Sequence, residues 1–382
     1  MSGRTQADHG RGLAPVRFQR PILPSLHEAQ GYWQSAEREQ WFSNDGQLVR
    51  QFGSKLGQFV GEDIHAVPVA NATMGLLLAL RASTQAPPGH AVVLPSYTFA
   101  ATGTVVKWAG YEPVFVDVDR EHWHADPDSM REALEGTQKV AALMPCSTYG
   151  SAPPPEVVRE WAALAEEFSL PLIVDSAAGF GSVDSEGVRL GRNGDAEVFS
   201  FHATKPFAIG EGGAVLTKDE ELADRVRRLS NFGFGPDRVV EEEPGLNAKM
   251  DELHAALGLV VLETYLDVLK RRREYADTLI RDFATQGYAF QAGADSSARQ
   301  FLPALSSSTN ARNALLSRAR SRHVELRTYF SDPLHQMPAF ATAGRTGVPL
   351  PVTHELASRV ICLPVYSQMD ASVLARIGSL AS

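Results

Sequence analysis

Four kinds of side chain able to act together on one small ligand each follow an apolar run of strand length. Asn71, Ala72 and Thr73 come after the run 65–70 and open a helical pattern. Backbone N–H groups and a hydroxyl at a helix start form an anion site. Ser96, Tyr97, Thr98 and Phe99 come after 91–95, and Asp175 closes the run 170–175. His202-Ala203-Thr204-Lys205 comes after 197–201, with Gly210-Glu211-Gly212-Gly213 beyond it. In open α/β sheets ligands bind outside the carboxyl ends of the strands, so these groups converge on one edge. Singly, each has a bland reading: Asp175 as a turn former, Lys205 as a surface lysine, Phe99 as a core ring.

Together they are the set that pyridoxal phosphate needs. A lysine forms the Schiff base. A carboxylate holds the pyridine nitrogen protonated and keeps the ring an electron sink. An aromatic ring stacks on the pyridine face, and a helix start takes the phosphate.

The elements that must place these residues show in the hydrophobic pattern. Apolar runs at 65–70, 91–95, 113–118, 140–145, 170–175, 197–201 and 214–217 are interleaved with helical patterns at 73–81, 98–109, 127–134 and 156–168. Such strands predict an α/β fold with a mostly parallel sheet covered on both faces. The short connection before 214–217 predicts one antiparallel strand. A helical segment at 33–58 precedes the sheet, and 250–284 reads as one long helix or two in line. Beyond 285, strands at 300–305 and 359–365 and helices at 311–320 and 371–380 predict a smaller C-terminal α/β domain. The expected division is a loose tail over 1–20, a large cofactor-binding domain over 21–260 and a small domain over 261–382.

The 382 residues, 44% hydrophobic, suffice for two such domains. A net charge of −9 argues against nucleic acid or an anionic membrane as partner. The longest apolar runs, such as 258–262, are far short of a membrane span, and the polar N-terminus lacks a hydrophobic signal region. Cys146 and Cys362, without metal spacing, read as buried free thiols in a reducing cytoplasm. The basic run Lys270-Arg271-Arg272-Arg273 reads as a solvated face. His122 and His124 have metal-like spacing, but Asp126-Pro127 beside them fits a helix start, so no metal is expected. Gly210 to Gly213 reads as a tight turn, since no lysine-serine pair follows as a phosphate loop needs.

At this point the sequence resembles a known family. Ser200-Phe201-His202-Ala203-Thr204-Lys205 followed by Gly210-Glu211-Gly212-Gly213 is similar to the lysine signature of the DegT/DnrJ/EryC1/StrS sugar aminotransferases. Leu94-Pro95-Ser96-Tyr97-Thr98-Phe99 matches the aromatic block, and Pro113-Val114-Phe115-Val116-Asp117-Val118-Asp119 the strand after it. Gly245-Leu246-Asn247-Ala248-Lys249-Met250 and Pro333-Leu334-His335-Gln336 match later blocks. The likeness covers roughly residues 30 to 370, and the stretch 201–207 is nearest the branch acting on dTDP-keto-6-deoxyhexoses.

The resemblance implies a fold-type-I, aspartate-aminotransferase-like transferase with pyridoxal 5'-phosphate as cofactor. It would move an amino group, with glutamate as donor, onto a nucleotide-linked keto-sugar. Lys205 would carry the cofactor and shuttle the proton, Asp175 would pair with the pyridine nitrogen, and Phe99 would stack. Ala72, Thr73 and Ser200 would hold the phosphate, and Asn247 would reach the phosphate of the other subunit in a homodimer with shared sites. The apolar Leu253, Leu257, Val260 and Val261 add to that dimer reading; alternatively Asn247 merely caps the helix near Met250. His202, Lys249 and His335 fall near the substrate, though His202 is equally read as packing beside the lysine. In one departure, Asp175-Ser176-Ala177-Ala178 has alanine where the family places His or Gln beside the ring hydroxyl. A keto-cyclitol acceptor and a catalytically silent binding or regulatory protein of this fold stay open. A dehydratase is disfavoured because that branch has histidine at the position of Lys205.

Overall fold

In the computed structural model, which describes residues 14–235, 237–240, 245–341 and 344–382, two helices come first: α1 (Leu26–Glu39) and α2 (Gln47–Val60). They correct the single helical segment expected at 33–58. Gln40 takes a left-handed backbone and Gly46 is the N-cap of α2. Gly46 has no side chain to cap with, and the buried carboxylate of Glu252 does so instead, accepting from Leu48 N at 2.7 Å and Val49 N at 3.3 Å. A Cβ on Gly46 would lie 2.5 Å from that carboxyl carbon.

The alternating region follows as β1 (His65–Val69), α3 (Ala72–Ser83), β2 (Ala91–Pro95), α4 (Ala100–Trp108), β3 (Glu112–Val116), α5 (Pro127–Glu135), β4 (Val140–Leu143), α6 (Pro155–Glu167), β5 (Ile173–Asp175), β6 (Ala196–Ser200) and β7 (Gly213–Thr217). Then come α7 (Glu220–Ser230), which sequence reading passed over, and α8 (Glu252–Ala284). The latter is one continuous helix. The chain ends with β8 (Ala289–Phe290), β9 (Leu302–Leu305), α9 (Thr309–Ser321), α10 (Pro338–Ala341), β10 (Arg345–Thr346), α11 (Pro351–Arg359), β11 (Val360–Leu363) and α12 (Ala371–Gly378).

Strand order is β1-β7-β6-β5 in one half of the main sheet and β10-β3-β2-β4 in the other. Parallel bridges Leu143 to Leu172 and Cys146 to Asp175 join the halves. Pairing is parallel except at β7, which runs antiparallel to β1 and β6. This is the one reversed strand expected from the short connection. The strands are apolar on both faces because α3, α4, α5, α6 and α7 pack on them in one cluster, while α2 and α8 cover the other face of β1, β6 and β7 in a second.

A second, antiparallel sheet has the order β11-β9-β8 and a core of its own, which includes Leu279, Phe283, Ile361 and Leu363. Two contacts cross the expected divisions. Val16 N donates to His323 O, and Val16 and Phe18 are buried, so residues 14–20 are not a loose tail; residues 1–13 lie outside the described residues. β10, far along the chain, pairs with β3 of the main sheet. The basic run is not wholly solvated either: Arg272 is buried and donates to Arg299 O, Gln300 O, Val365 O and Ser367 Oγ. No helix among the described residues is long and apolar enough to cross a membrane.

Candidate active site

The expected convergence at the carboxyl edge is built from three neighbouring strand ends. β1 leads into α3, whose N-cap Asn71 accepts from Met74 N at 2.9 Å. The N–H groups of Ala72 and Thr73 precede the helix's own bonds and remain directed out of its first turn. Ser200 at the end of β6 pairs in register with Gly213 at the start of β7. A Cβ on Gly213 would lie 2.7 Å from Ala72 N, 2.7 Å from Phe199 O and 2.9 Å from Asn71 C. Only a residue without a side chain lets the helix start and the strand end meet this closely. The result is a cradle of N–H groups and a hydroxyl suited to a phosphate dianion.

Asp175 ends β5 beside this cradle and is 3% exposed. Thr102 Oγ1 donates to its Oδ2 at 2.7 Å and Ala177 N to its Oδ1 at 3.1 Å. Burial pushes its carboxyl pKa up, against the lowering effect of those donors and of Lys205. Among the described residues no cation pairs with it directly. A protonated ring nitrogen would complete this carboxylate, which is the fit pyridoxal phosphate requires. Phe99, the N-cap of α4, is 60% exposed. It is therefore a ring available for stacking rather than a core residue.

Lys205 lies in the turn between β6 and β7. Burial pushes its amine down to about 8, while Asp175 and Cys146 pull it back up. Its Nζ donates to Gln300 Oε1 at 3.1 Å. The mouth beside it is lined by residues 19–22, 203–206, Arg272, Gln300 and 365–367, so the lysine sits where main-sheet and small-sheet segments meet. His202 joins Lys205 through neighbours: its Nδ1 meets Thr204 Oγ1 at 2.8 Å, and its Nε2 lies 3.6 Å from Glu211 Oε1.

The remaining candidates lie in two other places. His335 Nδ1 is 2.7 Å from the hydroxyl of buried Ser96, the residue that follows β2, and its ring packs edge-on against His354. Burial and His354 lower its pKa. Asn247 is exposed and accepts from Lys249 Nζ at 2.8 Å, and that ammonium also sits over the Phe232 ring. Asn247 is not the cap of α8; Asp251 is, accepting from His254 N at 2.9 Å. Leu257 is buried in the chain's own core with α1 and α2, and half-buried Val260 and Val261 pack against it; Leu253 is half-buried as well.

His124 is buried, with Thr148 N donating to its Nδ1, and burial pushes it down to about 4. No group of metal-ligating side chains forms around it or elsewhere among the described residues. Both cysteines are free. Position 178 offers no polar side chain, and its carbonyl oxygen is packed against Gly150, where a Cβ would lie 2.2 Å away. Sequence reading missed Gln300 altogether. It gave no role to Thr102, which α4 presents to Asp175.

The sheet topology and this edge define a pyridoxal-phosphate-dependent aminotransferase of the fold-type-I class. Comparison with known proteins sets the family. The DegT/DnrJ/EryC1/StrS aminotransferase profile matches residues 26–380, and the chain belongs to that family. Protein Rv3402c of Mycobacterium tuberculosis is 34% identical over 373 residues, covering 96% of this chain and 90% of its own. A dTDP-4-amino-4,6-dideoxy-D-glucose transaminase of Shigella dysenteriae is 31% identical, covering 96% and 98%. The crystal structure of DesI with its TDP-sugar product superposes with a TM-score of 0.85 at 32% identity, covering 96% and 92%.

Proposed function

We propose that the enzyme transfers an amino group from glutamate to the ketone of a dTDP-linked keto-6-deoxyhexose. The carrying observation is the buried pair Lys205 and Asp175 beside the Ala72, Thr73 and Ser200 cradle, in a chain whose relatives include a dTDP-sugar transaminase. Bound pyridoxal phosphate supplies an electron sink for charge that develops beside the transferred nitrogen. The cradle would receive the phosphate, Asp175 would keep a proton on the pyridine nitrogen, and Phe99 would cover one ring face. Lys205 carries the cofactor. Once released, its amine is neutral in a useful fraction of molecules near pH 8, so Nζ would take a proton from the cofactor's amine-bearing carbon and deliver it to the sugar carbon that gains nitrogen.

The enzyme works as a homodimer, with Asn247 completing the partner's phosphate site. Exposed Phe232, Val239, Val240 and Leu246 on the same segment support this, as does a cleft of about 720 Å³ that reaches Lys249. Two free thiols and a nucleotide-sugar substrate suit the cytoplasm. The test is an assay with glutamate across dTDP-, UDP- and GDP-linked keto-sugars. Formation of 2-oxoglutarate with dTDP-keto-6-deoxyhexoses is expected, and none with any of them refutes the substrate.

A further inference from the structure

We propose that Gln300 is a positioning residue for Lys205, its side-chain oxygen holding the ε-amine whenever that amine is not joined to the cofactor. The proposal rests on Lys205 being the cofactor's lysine. It starts from a hydrogen-bond chain whose polarity is fixed at both ends. A lysine amine facing a glutamine amide donates, so the atom that Lys205 Nζ meets at 3.1 Å is the amide oxygen. The amide nitrogen of Gln300 then points to Thr204 Oγ1 at 3.4 Å. At the far end, the backbone N–H of Thr204 can only donate, and it lies 3.2 Å from His202 Nδ1. That nitrogen is therefore an acceptor, and the Thr204 hydroxyl donates to it at 2.8 Å. The ring proton is left on Nε2, toward Glu211. Donation thus runs in one direction from Lys205 through Gln300 and Thr204 to His202. His202 acts on the lysine through this chain.

A second observation shows that Gln300 is held in place. Arg272 grips the backbone on both sides of the peptide, donating to Arg299 O at 2.8 Å and Gln300 O at 2.9 Å. Arg273 fastens the preceding turn through Ser296 O and Ser297 O, and Ala298 N donates to Ser182 Oγ. The amide is therefore presented to Lys205 by a clamped segment. On its other side the amine feels Asp175 and Cys146. Asp175 is committed to Thr102 and Ala177, which leaves Gln300 to set where the freed amine rests.

The test uses the full-length enzyme loaded with pyridoxamine 5'-phosphate, the form in which Lys205 is free. Competitive acetylation with acetic anhydride from pH 6 to 10, read by peptide mass mapping, gives the half-labelling pH of each lysine. Exposed Lys55 and Lys218 serve as references. Gln300→Met keeps length but removes the acceptor, and the half-labelling pH of Lys205 should fall by about one unit, the size of one charge-assisted hydrogen bond. Gln300→Glu should raise it by about one unit or more, with the references unmoved. A packing role alone would not shift the amine in opposite directions. The proposal is overturned if both variants melt like wild type and leave Lys205 within about 0.3 unit of it. Should Gln300→Met fail to fold, the glutamate variant alone decides, and no rise overturns the proposal. Borohydride reduction of the pyridoxal form separates the two readings. Label on another lysine sinks the cofactor role of Lys205, while the titration still reports whether Gln300 holds its amine.

Discussion

Replacing Asp175 by asparagine should stabilise one form of the protein and disable the other. In the cofactor-free chain the carboxylate accepts from Thr102 Oγ1 and Ala177 N. An asparagine Oδ1 keeps the Ala177 bond. Its Nδ2 then faces Thr102, whose hydroxyl can turn to donate to Thr98 Oγ1, 3.1 Å away. Both donors keep a partner, and the one group left unpaired is the second Nδ2 hydrogen, a smaller cost than a buried unpaired charge. Burial raises the carboxyl pKa above its unfolded value, so the cost of the charged form is absent at low pH and grows as pH rises through the folded pKa. At neutral pH asparagine removes that cost, and cofactor-free Asp175→Asn should melt at the wild-type temperature or above.

In the holoenzyme, on the proposed role of Asp175, the same change would remove the charge that keeps the ring nitrogen protonated. The half-reaction with glutamate should slow by about 10²–10⁴, or about 2.7–5.5 kcal/mol of barrier. Stopped-flow absorbance of the cofactor measures the rate, and a thermal melt of the stripped protein measures the fold. A wild-type rate would show that Asp175 does not touch the ring nitrogen. A slow variant that also melts lower when stripped would refute the hydrogen-bond accounting.

Three further outcomes follow from named contacts. Because Lys205 sits at about 8 when free and must be neutral to act as base, single turnover of keto-sugar by the pyridoxamine form should fall about tenfold per pH unit below that value and level off above it. A flat profile from pH 6 to 9 would remove Lys205 as the base. Gly213→Ala drives a Cβ into Ala72 N and Phe199 O; at about 1–3 kcal/mol for overpacking, cofactor affinity should drop about 5- to 150-fold by equilibrium dialysis, and unchanged affinity would mean the cradle lies elsewhere. Co-expressed Lys205→Ala and Asn247→Asp, each inactive alone, should recover up to about a quarter of wild-type activity if sites are shared across a twofold, whereas confirmed heterodimers with none would place Asn247 outside the partner's site.

Much of this enzyme is written locally. Asp175, Phe99 and the Asn71 cap each sit at an end of a strand or helix, and Lys205 lies in the turn after β6; strand ends are legible wherever an apolar run stops at a polar residue. The reversed strand β7 was legible for the same reason, since a short connection cannot cross over. What sequence could not disclose are pairings between distant segments. Gln300 meets Lys205 across 95 residues, Glu252 caps a helix 204 residues before it, and Arg272 is buried inside a run that reads as solvated. Arg345 and Thr346 join the main sheet from within the C-terminal third. The gap at residues 40–46 between the first two helices was hidden because the cap of the second comes from that same distant Glu252. Periodicity reports which face of an element is buried but not which element covers it. A polar side chain that finds its partner only after the chain has folded leaves no mark in its own neighbourhood, and that decision belongs to the tertiary structure.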